Sequence, residues 1–295
     1  MAVNPTNRPK RKSRPRRKLN RLQRILELDP VKDHHEIYVL SRAYEFTVEF
    51  EIGGLMSFLH DFTIPSIAFL LFKTMEFNDH TLRRIDDTSI ILLEIVKHGY
   101  DSKRGQKAIQ RMNEIHQRFR IANNDFLYVL SSIVFEPIYW INRYGYRQLT
   151  YNEKQAAFYF WREVGVRMHL QNLPETYEAF EEFNRQFKQE RVRSTRATRM
   201  VGNAVIDAFV KKFAYPLQPL MRQFVYFASD WAIHKSFGTQ PPSPFVAAAL
   251  HHTLRLRADI YRYFLNRRKA FFPIDHPMDT YQKGYKLSQV GADKR

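Results

Sequence analysis

The fold of this chain is decided by the stretch RRIDDTSIILLEIV (residues 83–96) and its continuation GQKAIQRMNEIHQRF (residues 105–119). Apolar residues recur in both stretches at the helical period, which predicts two successive amphipathic helices. The apolar face of the first helix is formed by Ile85, Ile91, Leu92 and Ile95, and its charged face by Arg83, Asp86, Asp87, Glu94 and Lys97. This pattern predicts helices that bury one face in a shared core.

Three polar residues interrupt the apolar faces of these two helices. Arg84 and Thr88 are four residues apart and lie within the apolar stripe of the first helix, while His116 lies on the apolar face of the second. A buried arginine needs an anionic partner, and a neutral imidazole is a ready metal ligand. The three residues therefore predict a pocket. Taken singly, each also fits an ordinary helix: a histidine satisfied in the core, or a threonine bonded to its own helix.

Composition and periodicity predict an all-α protein built as a single multi-helix domain. Of the 295 residues, 44% are hydrophobic and 15% aromatic, which is enough for a large core, and long segments with the helical period dominate. Thr150 and Glu153 form a capping box, and Pro137 should end or kink its helix. The predicted helices are 31–50, 53–60, 64–76, 82–98, 104–120, 124–136, 138–145, 151–169, 174–191, 197–213, 216–237 and 244–270.

The ends of the chain differ in charge from its middle. The formal net charge is +17, and residues 1–24 hold ten Lys and Arg with no acid. We therefore expect residues 1–28 to form a disordered basic arm, residues 29–275 the domain, and residues 276–295 a loose polar tail. The arm is a solubilising tail, or it binds anionic lipid or nucleic acid, and of the last two we expect peripheral membrane contact.

The chain has neither a secretory signal pattern nor an uninterrupted membrane span. The most apolar window, residues 52–72, contains His60, Asp61 and Pro65, so it predicts two buried helices with a break between them. We therefore expect a cytoplasmic or peripherally membrane-associated protein. Its oligomeric state is left open by the sequence.

Other chemistries find little support. The sequence has no cysteine, no phosphate-binding glycine loop, no HExxH and no nucleophile elbow, which argues against disulfides, thiolate ligands and those enzyme classes. The basic run FKQERVRSTRATR (residues 187–199) is typical of a solvated helix end, and it could also meet a cofactor carboxylate.

Several spaced motifs resemble one oxygenase family. The stretch 83–96, AIQRMNEIH (108–116), NNDFLYVLSSIVFEPIYWINRYGYRQLT (123–150) and EKQAAFYFWREVGVRM (153–168) are similar to the MpaB-type oxygenases, relatives of the rubber oxygenases or latex-clearing proteins. The resemblance runs from about Ile64 to about Arg257, and its strongest elements are R-x-x-x-T, N-x-x-H and EP-x-x-W.

This resemblance implies a helical fold around haem b. His116 resembles the histidine that holds the haem iron, and Arg84 and Thr88 resemble the catalytic pair on its other side. Asn113 would help to position the imidazole, and Arg84 or Arg120 would pair with a haem propionate. Rubber oxygenases can carry a lysine directly before the threonine. This chain has Asp87 there, so no lysine would close the iron site.

The resemblance also implies oxidative cleavage of a carbon–carbon double bond in an apolar, lipid-like or isoprenoid substrate by dioxygen. The acid that serves as base in rubber oxygenases has no counterpart in the apolar segment IAFLLF (residues 67–72). Two alternatives remain open: a non-enzymatic helical scaffold whose basic arm binds nucleic acid or an anionic membrane, and a haem protein without turnover.

Overall fold

The computed structural model describes residues 21–73, 81–264 and 269–291. Over these residues the chain forms a single all-α domain, which confirms the predicted fold class. The α-helices are α1 (Arg21–Glu27), α2 (His34–Leu40), α3 (Thr47–Asp61), α4 (Pro65–Lys73), α5 (Thr81–His98), α6 (Lys103–His116), α7 (Asn123–Tyr144), α8 (Tyr151–Arg167), α9 (Tyr177–Arg191), α10 (Arg196–Lys211), α11 (Gln218–Ala228), α12 (Trp231–Phe237) and α13 (Pro244–Phe264).

The centre of the domain is the crossing of α3 and α7. A Cβ atom on Gly53 of α3 would lie 2.4 Å from the Cα atom of Pro137, so the two backbones touch where glycine leaves room for the proline. Helix α7 runs unbroken through Pro137 from Asn123 to Tyr144. The prediction of two helices, 124–136 and 138–145, is therefore wrong, because close packing against α3 holds both halves of α7 in one helix.

Two other predicted helices are divided in the structure. The predicted helix 31–50 becomes α2, a π-helical turn at Ser41–Glu45, and the start of α3. The predicted helix 216–237 is interrupted after Ala228, because the Asp230 side chain accepts hydrogen bonds from the backbone N–H groups of Ala232 and Ile233 and so starts α12. The capping box of Thr150 and Glu153 at the start of α8 is confirmed.

The basic arm is shorter than predicted. Residues 1–20 lie outside the described residues, but residues 21–27 form α1, in which Ile25 is fully buried. Ile25 packs with Leu28, Ile37 and Ala156, so apolar contacts hold this turn of helix on the domain. The arm boundary at residue 28 is therefore corrected to a position before α1.

The C-terminal segment also differs from the expected loose tail. Tyr281 is 6% exposed and Val290 is fully buried, and both belong to the main core cluster. The Arg111 guanidinium donates a hydrogen bond of 2.7 Å to the Val290 carbonyl, which ties this segment to α6. Residues 269–291 are thus part of the domain, because their aromatic and aliphatic side chains pack in the core beside α5 and α6.

The most apolar window forms two helices, as predicted. Helix α3 ends at Asp61 and α4 begins at Pro65, and the two helix axes are bent by 87°. Among the helices of the described residues, none by itself has the length and hydropathy to cross a membrane, and only this bent pair meets both criteria together.

Candidate functional site

Helices α5 and α6 form a hairpin that brings the predicted site residues together. The hairpin turns at Gly99, which has a φ of +79°, and a Cβ on Gly105 would lie 2.0 Å from the Gly99 carbonyl oxygen. Ser102 caps α6 by accepting a hydrogen bond from the Gly105 N–H. Arg84 lies 15 residues before Gly99 and His116 lies 17 residues after it. At about 1.5 Å per residue, the two side chains reach the same level of the hairpin.

His116 presents a neutral imidazole in a desolvated setting. Its Nδ1 atom is buried and has no hydrogen-bond partner. The Phe126 ring packs edge-on against it, with 5.0 Å between the ring centroids. Burial, followed by the nearby positive charge of Arg84, lowers the pKa of His116 to about 4. The ring is therefore uncharged at neutral pH, which is the form that can donate a lone pair to a metal.

Arg84 and Thr88 are half-buried on α5, one helical turn apart. The influence of Arg84 on the pKa of His116 places the guanidinium charge within electrostatic reach of the imidazole. The structure thus places a cation within electrostatic reach of the His116 ring, with a hydroxyl one turn further along the same helix. Their catalytic roles stay predictions.

Asn113 and Arg120 lie at the edges of this arrangement. The Asn113 side-chain amide donates a hydrogen bond of 3.0 Å to the Arg167 carbonyl, so it ties α6 to the end of α8. Arg120 is exposed in the connection between α6 and α7. The structure gives Asn113 a role between helices, and the predicted cofactor contacts of both residues stay predictions.

Sequence reasoning misplaced the carboxylates of α5. Asp86, Asp87 and Glu94 were assigned to the charged outer face, yet they are 1%, 4% and 0% exposed. Asp86 accepts hydrogen bonds of 2.8 Å from the backbone N–H and hydroxyl of Thr280, and Asp87 accepts one from the Tyr281 hydroxyl. The C-terminal segment thus covers the charged face of α5. The sequence signal for this contact was the pair of tyrosines, Tyr281 and Tyr285, in an otherwise polar tail.

Glu94 is the most enclosed of these three carboxylates. Burial pushes its pKa upward, but hydrogen bonds from Arg104 and Tyr285 leave the pKa below its ordinary value. Arg104 binds both carboxylate oxygens of Glu94, each at 2.5 Å. The charge on Glu94 is therefore kept and paired, and it fixes α5 to both α6 and the C-terminal segment.

A second buried polar cluster, which the sequence did not predict, joins α7 to α3, to α9 and to the start of α12. The Lys188 ammonium lies 3.0 Å from Glu136 Oε1, 3.4 Å from Asp230 Oδ2 and 3.5 Å from His60 Nε2. Desolvation opposes the charge on Lys188, but the two carboxylates raise its pKa above the ordinary value. Through Lys188, Glu136 of the EP-x-x-W motif thus helps to join α7 to three neighbouring elements.

The residues around His116 fit a porphyrin-bound iron. Over the described parts of the chain, no three His, Asp or Glu side chains are grouped so that they could hold a metal ion by themselves. A haem iron needs only one nitrogen from the protein, because the macrocycle supplies four. The neutral imidazole with an unpartnered buried nitrogen, an aromatic wall and a nearby guanidinium suit that group. The structure is therefore an all-α domain whose candidate site centres on one desolvated imidazole.

Comparison with known proteins identifies the family. The sequence model of the catalytic domain described as ER-bound oxygenase mpaB/B'/Rubber oxygenase matches residues 51–258. This chain belongs to that family, which confirms the resemblance seen in its motifs.

Individual relatives are distant. The chain is 22% identical over 250 residues to the ER-bound oxygenase mpaB' of Penicillium brevicompactum, which covers 79% of this chain and 59% of that protein. It is 28% identical over 127 residues to the ER-bound oxygenase mpaB of Penicillium roqueforti (strain FM164), covering 41% of this chain and 43% of that protein. The chain thus spans less than two thirds of the length of these relatives.

Proposed function

We propose that this protein is a haem b-dependent oxygenase that cleaves a carbon–carbon double bond in a lipid-like or isoprenoid substrate. The observation that carries the proposal is the His116 imidazole, which is neutral and keeps a buried nitrogen without a hydrogen-bond partner. Membership of an oxygenase family supports the reaction class. Because the chain spans only part of the length of its relatives, the substrate class is a proposal.

Each residue of the candidate site would have a different role around the haem. His116 would hold the iron, and Arg84 or the exposed Arg120 would pair with a propionate by a charge-assisted hydrogen bond. Haem b, when bound, supplies the redox-active iron at which dioxygen is activated. Thr88 provides a hydroxyl that can donate or accept a hydrogen bond, and the Phe126 ring keeps water from the imidazole.

Arg84 has a second proposed role, which concerns the protonation state of His116. Its charge already lowers the pKa of His116, so it also keeps the imidazole unprotonated and available as a ligand. A fixed cation in a desolvated site stabilises negative charge that develops on oxygen during the reaction. Cleavage of one double bond by one dioxygen molecule gives two carbonyl groups, so both oxygen atoms end in the products.

Haem binding is tested by absorption spectroscopy. We expect the purified protein, loaded with haemin and freed of excess, to show a Soret band that shifts on reduction with dithionite. His116→Ala should lose or shift that band, because the iron loses its nitrogen ligand. His252→Ala, which changes an exposed histidine on α13, is the matched control and should leave the spectrum unchanged. Unchanged haem content and spectrum in His116→Ala would contradict the assignment.

Turnover is tested separately. Incubation of the loaded protein with an isoprenoid and isotopically labelled dioxygen should give carbonyl products that carry the label. A protein that binds haem through His116 but forms no such product with a series of isoprenoids would be a haem carrier or sensor.

A further inference from the structure

Four exposed arginines lie where α9 ends and α10 begins. Arg191, Arg193, Arg196 and Arg199 fall within nine residues, and all are exposed. Together with the exposed side chains of Phe69 and Met200, described below, we call this region the arginine surface. The site around His116 uses none of these residues.

Three of these arginines contact neutral groups, whereas the charge of Arg191 acts on the carboxylate of Asp125. Arg193 donates to the Val192 carbonyl, Arg199 donates to the Ser194 hydroxyl, and Arg196 lies over the Phe72 ring. None of these three contacts is with a carboxylate. Helix α10 begins at Arg196, and its first turn contains no acidic residue. Cations at a helix N-terminus are unfavourable, so folding alone does not account for this arrangement.

Apolar side chains lie in the same region. Phe69 is 58% exposed on α4, and Met200 is 37% exposed on α10, one turn after Arg196. The two helices pack together, and the Arg196 guanidinium lies 5.9 Å from the centroid of Phe72, which is one turn from Phe69. The arginine surface therefore combines a cluster of exposed positive charges with exposed apolar groups.

We propose that the arginine surface docks on an anionic lipid bilayer. Membrane-surface segments combine arginines, which bind lipid phosphates, with apolar side chains that enter the acyl boundary. A nucleic acid would bind the arginines through its phosphates without requiring Phe69 or Met200. The net charge of +17 adds long-range attraction toward an anionic surface and opposes self-association. This docking does not depend on haem or on turnover.

The charge contribution is tested with vesicles made of equal parts phosphatidylcholine and phosphatidylserine. The full chain carrying Arg193→Gln, Arg196→Gln and Arg199→Gln should bind these vesicles about a hundredfold more weakly than the unchanged protein. The matched control carries Lys103→Gln, Lys107→Gln and Lys211→Gln, three exposed lysines away from the arginine surface. Both variants lose the same charge and keep the basic arm, so only the position of the charge differs.

The apolar contribution is tested with Phe69→Ser. Its vesicle binding should fall by about tenfold, since one exposed phenylalanine no longer enters the bilayer. Phe245→Ser on α13, where the side chain is 83% exposed, is the matched control and should bind normally.

Three results would overturn the proposal. Equal weakening by the arginine and lysine triples would show that only net charge matters. Weakening by Phe245→Ser instead of Phe69→Ser would move the docking surface to α13. Unchanged vesicle binding of the arginine triple, with weakened binding to a DNA duplex, would assign the arginines to nucleic acid.

Discussion

Asp61 is a carboxylate enclosed between α3 and α7. It is 6% exposed, and the Ser132 hydroxyl donates a hydrogen bond of 2.8 Å to its Oδ1 atom. Burial raises the pKa of Asp61 well above its ordinary value, Ser132 partly opposes this shift, and the negative charge of Glu136 adds to it. The folded protein therefore favours the protonated form of Asp61.

The raised pKa predicts a stability that falls as pH increases. The unfolded chain ionises Asp61 above about pH 4, while the folded chain keeps it protonated until its own higher pKa. Over that window Asp61 should cost about 1.4 kcal/mol of unfolding free energy per pH unit. Asp61→Asn should remove this slope and gain stability relative to the unchanged protein between about pH 5 and pH 8. Urea denaturation of both proteins at about pH 5 and about pH 8 measures this difference in the free energy of unfolding.

The control for this experiment is Asp259→Asn, which changes an exposed carboxylate on α13. Its unfolding free energy should follow that of the unchanged protein at both pH values. Parallel pH curves for Asp61→Asn and the unchanged protein would show that Asp61 is ionised in the folded state.

At the level of single residues, the sequence predicts those that interrupt a pattern, and it does not predict contacts between residues far apart along the chain. His116, Arg84 and Thr88 stand out because they lie on apolar helix faces. Asp61 also interrupts an apolar window, but the sequence does not reveal its partner, because Ser132 is 71 residues away. Its burial follows from the α3–α7 crossing, which periodicity alone does not define.

The α3–α7 crossing brings the backbones of two helices into direct contact. Proline lacks the N–H that would continue the hydrogen-bond pattern of α7, and its ring needs space on the neighbouring helix. Gly53 supplies that space, since a Cβ atom there would lie 2.4 Å from the Pro137 Cα atom. The distance between the two helices is thus set by one glycine and one proline.

Neighbouring glycines give a sharp test of this crossing. Gly53→Ala should lower the free energy of unfolding by about 1–3 kcal/mol, because the added methyl group meets backbone atoms that cannot move away. Gly54→Ala has no atom within 4 Å of the new Cβ. It should raise stability by about 0.5–1 kcal/mol, since alanine favours the helix. Thermal denaturation compares them, and equal effects of both substitutions would contradict the close crossing.

Helix ends are predictable when their signal is local. The capping box of Thr150 and Glu153 places the start of α8 correctly, because both partners lie within one turn. The break before α12 was missed, although Asp230 is a strong N-cap residue. Apolar periodicity continues across residues 216–237, so it concealed that cap. The continuity of α7 depends on Gly53, 84 residues before Pro137, and no local pattern contains it.

Over the whole molecule, the C-terminal segment acts as a strap across α5. Thr280, Tyr281 and Tyr285 each bind one of the buried carboxylates of that helix. Compositional reasoning predicted a loose tail, because the segment is polar and lacks helical periodicity. Its contacts depend on single aromatic residues that meet a distant helix, and composition does not reveal such pairing.

Removal of the strap should destabilise the whole domain. A chain ending at residue 268 leaves Asp86, Asp87 and Glu94 without the partners that this segment supplies. Loss of partners from buried charges costs about 3–5 kcal/mol in comparable cases. We expect a clearly lower denaturation temperature and faster cleavage by trypsin. Removal of residues 292–295 alone is the control and should change neither, whereas equal denaturation temperatures for the two truncations would contradict the role of the strap.

The strap also links the order of synthesis to the completion of the domain. Residues 272–290 leave the ribosome after α13, so a nascent chain that has reached only α13 lacks the side chains that bind the three α5 carboxylates. Arg84 and Thr88 lie on that same helix, so Tyr281 and Tyr285 add contacts to the helix that carries the candidate site. The burial of these three carboxylates can therefore be completed only after α13 has been made.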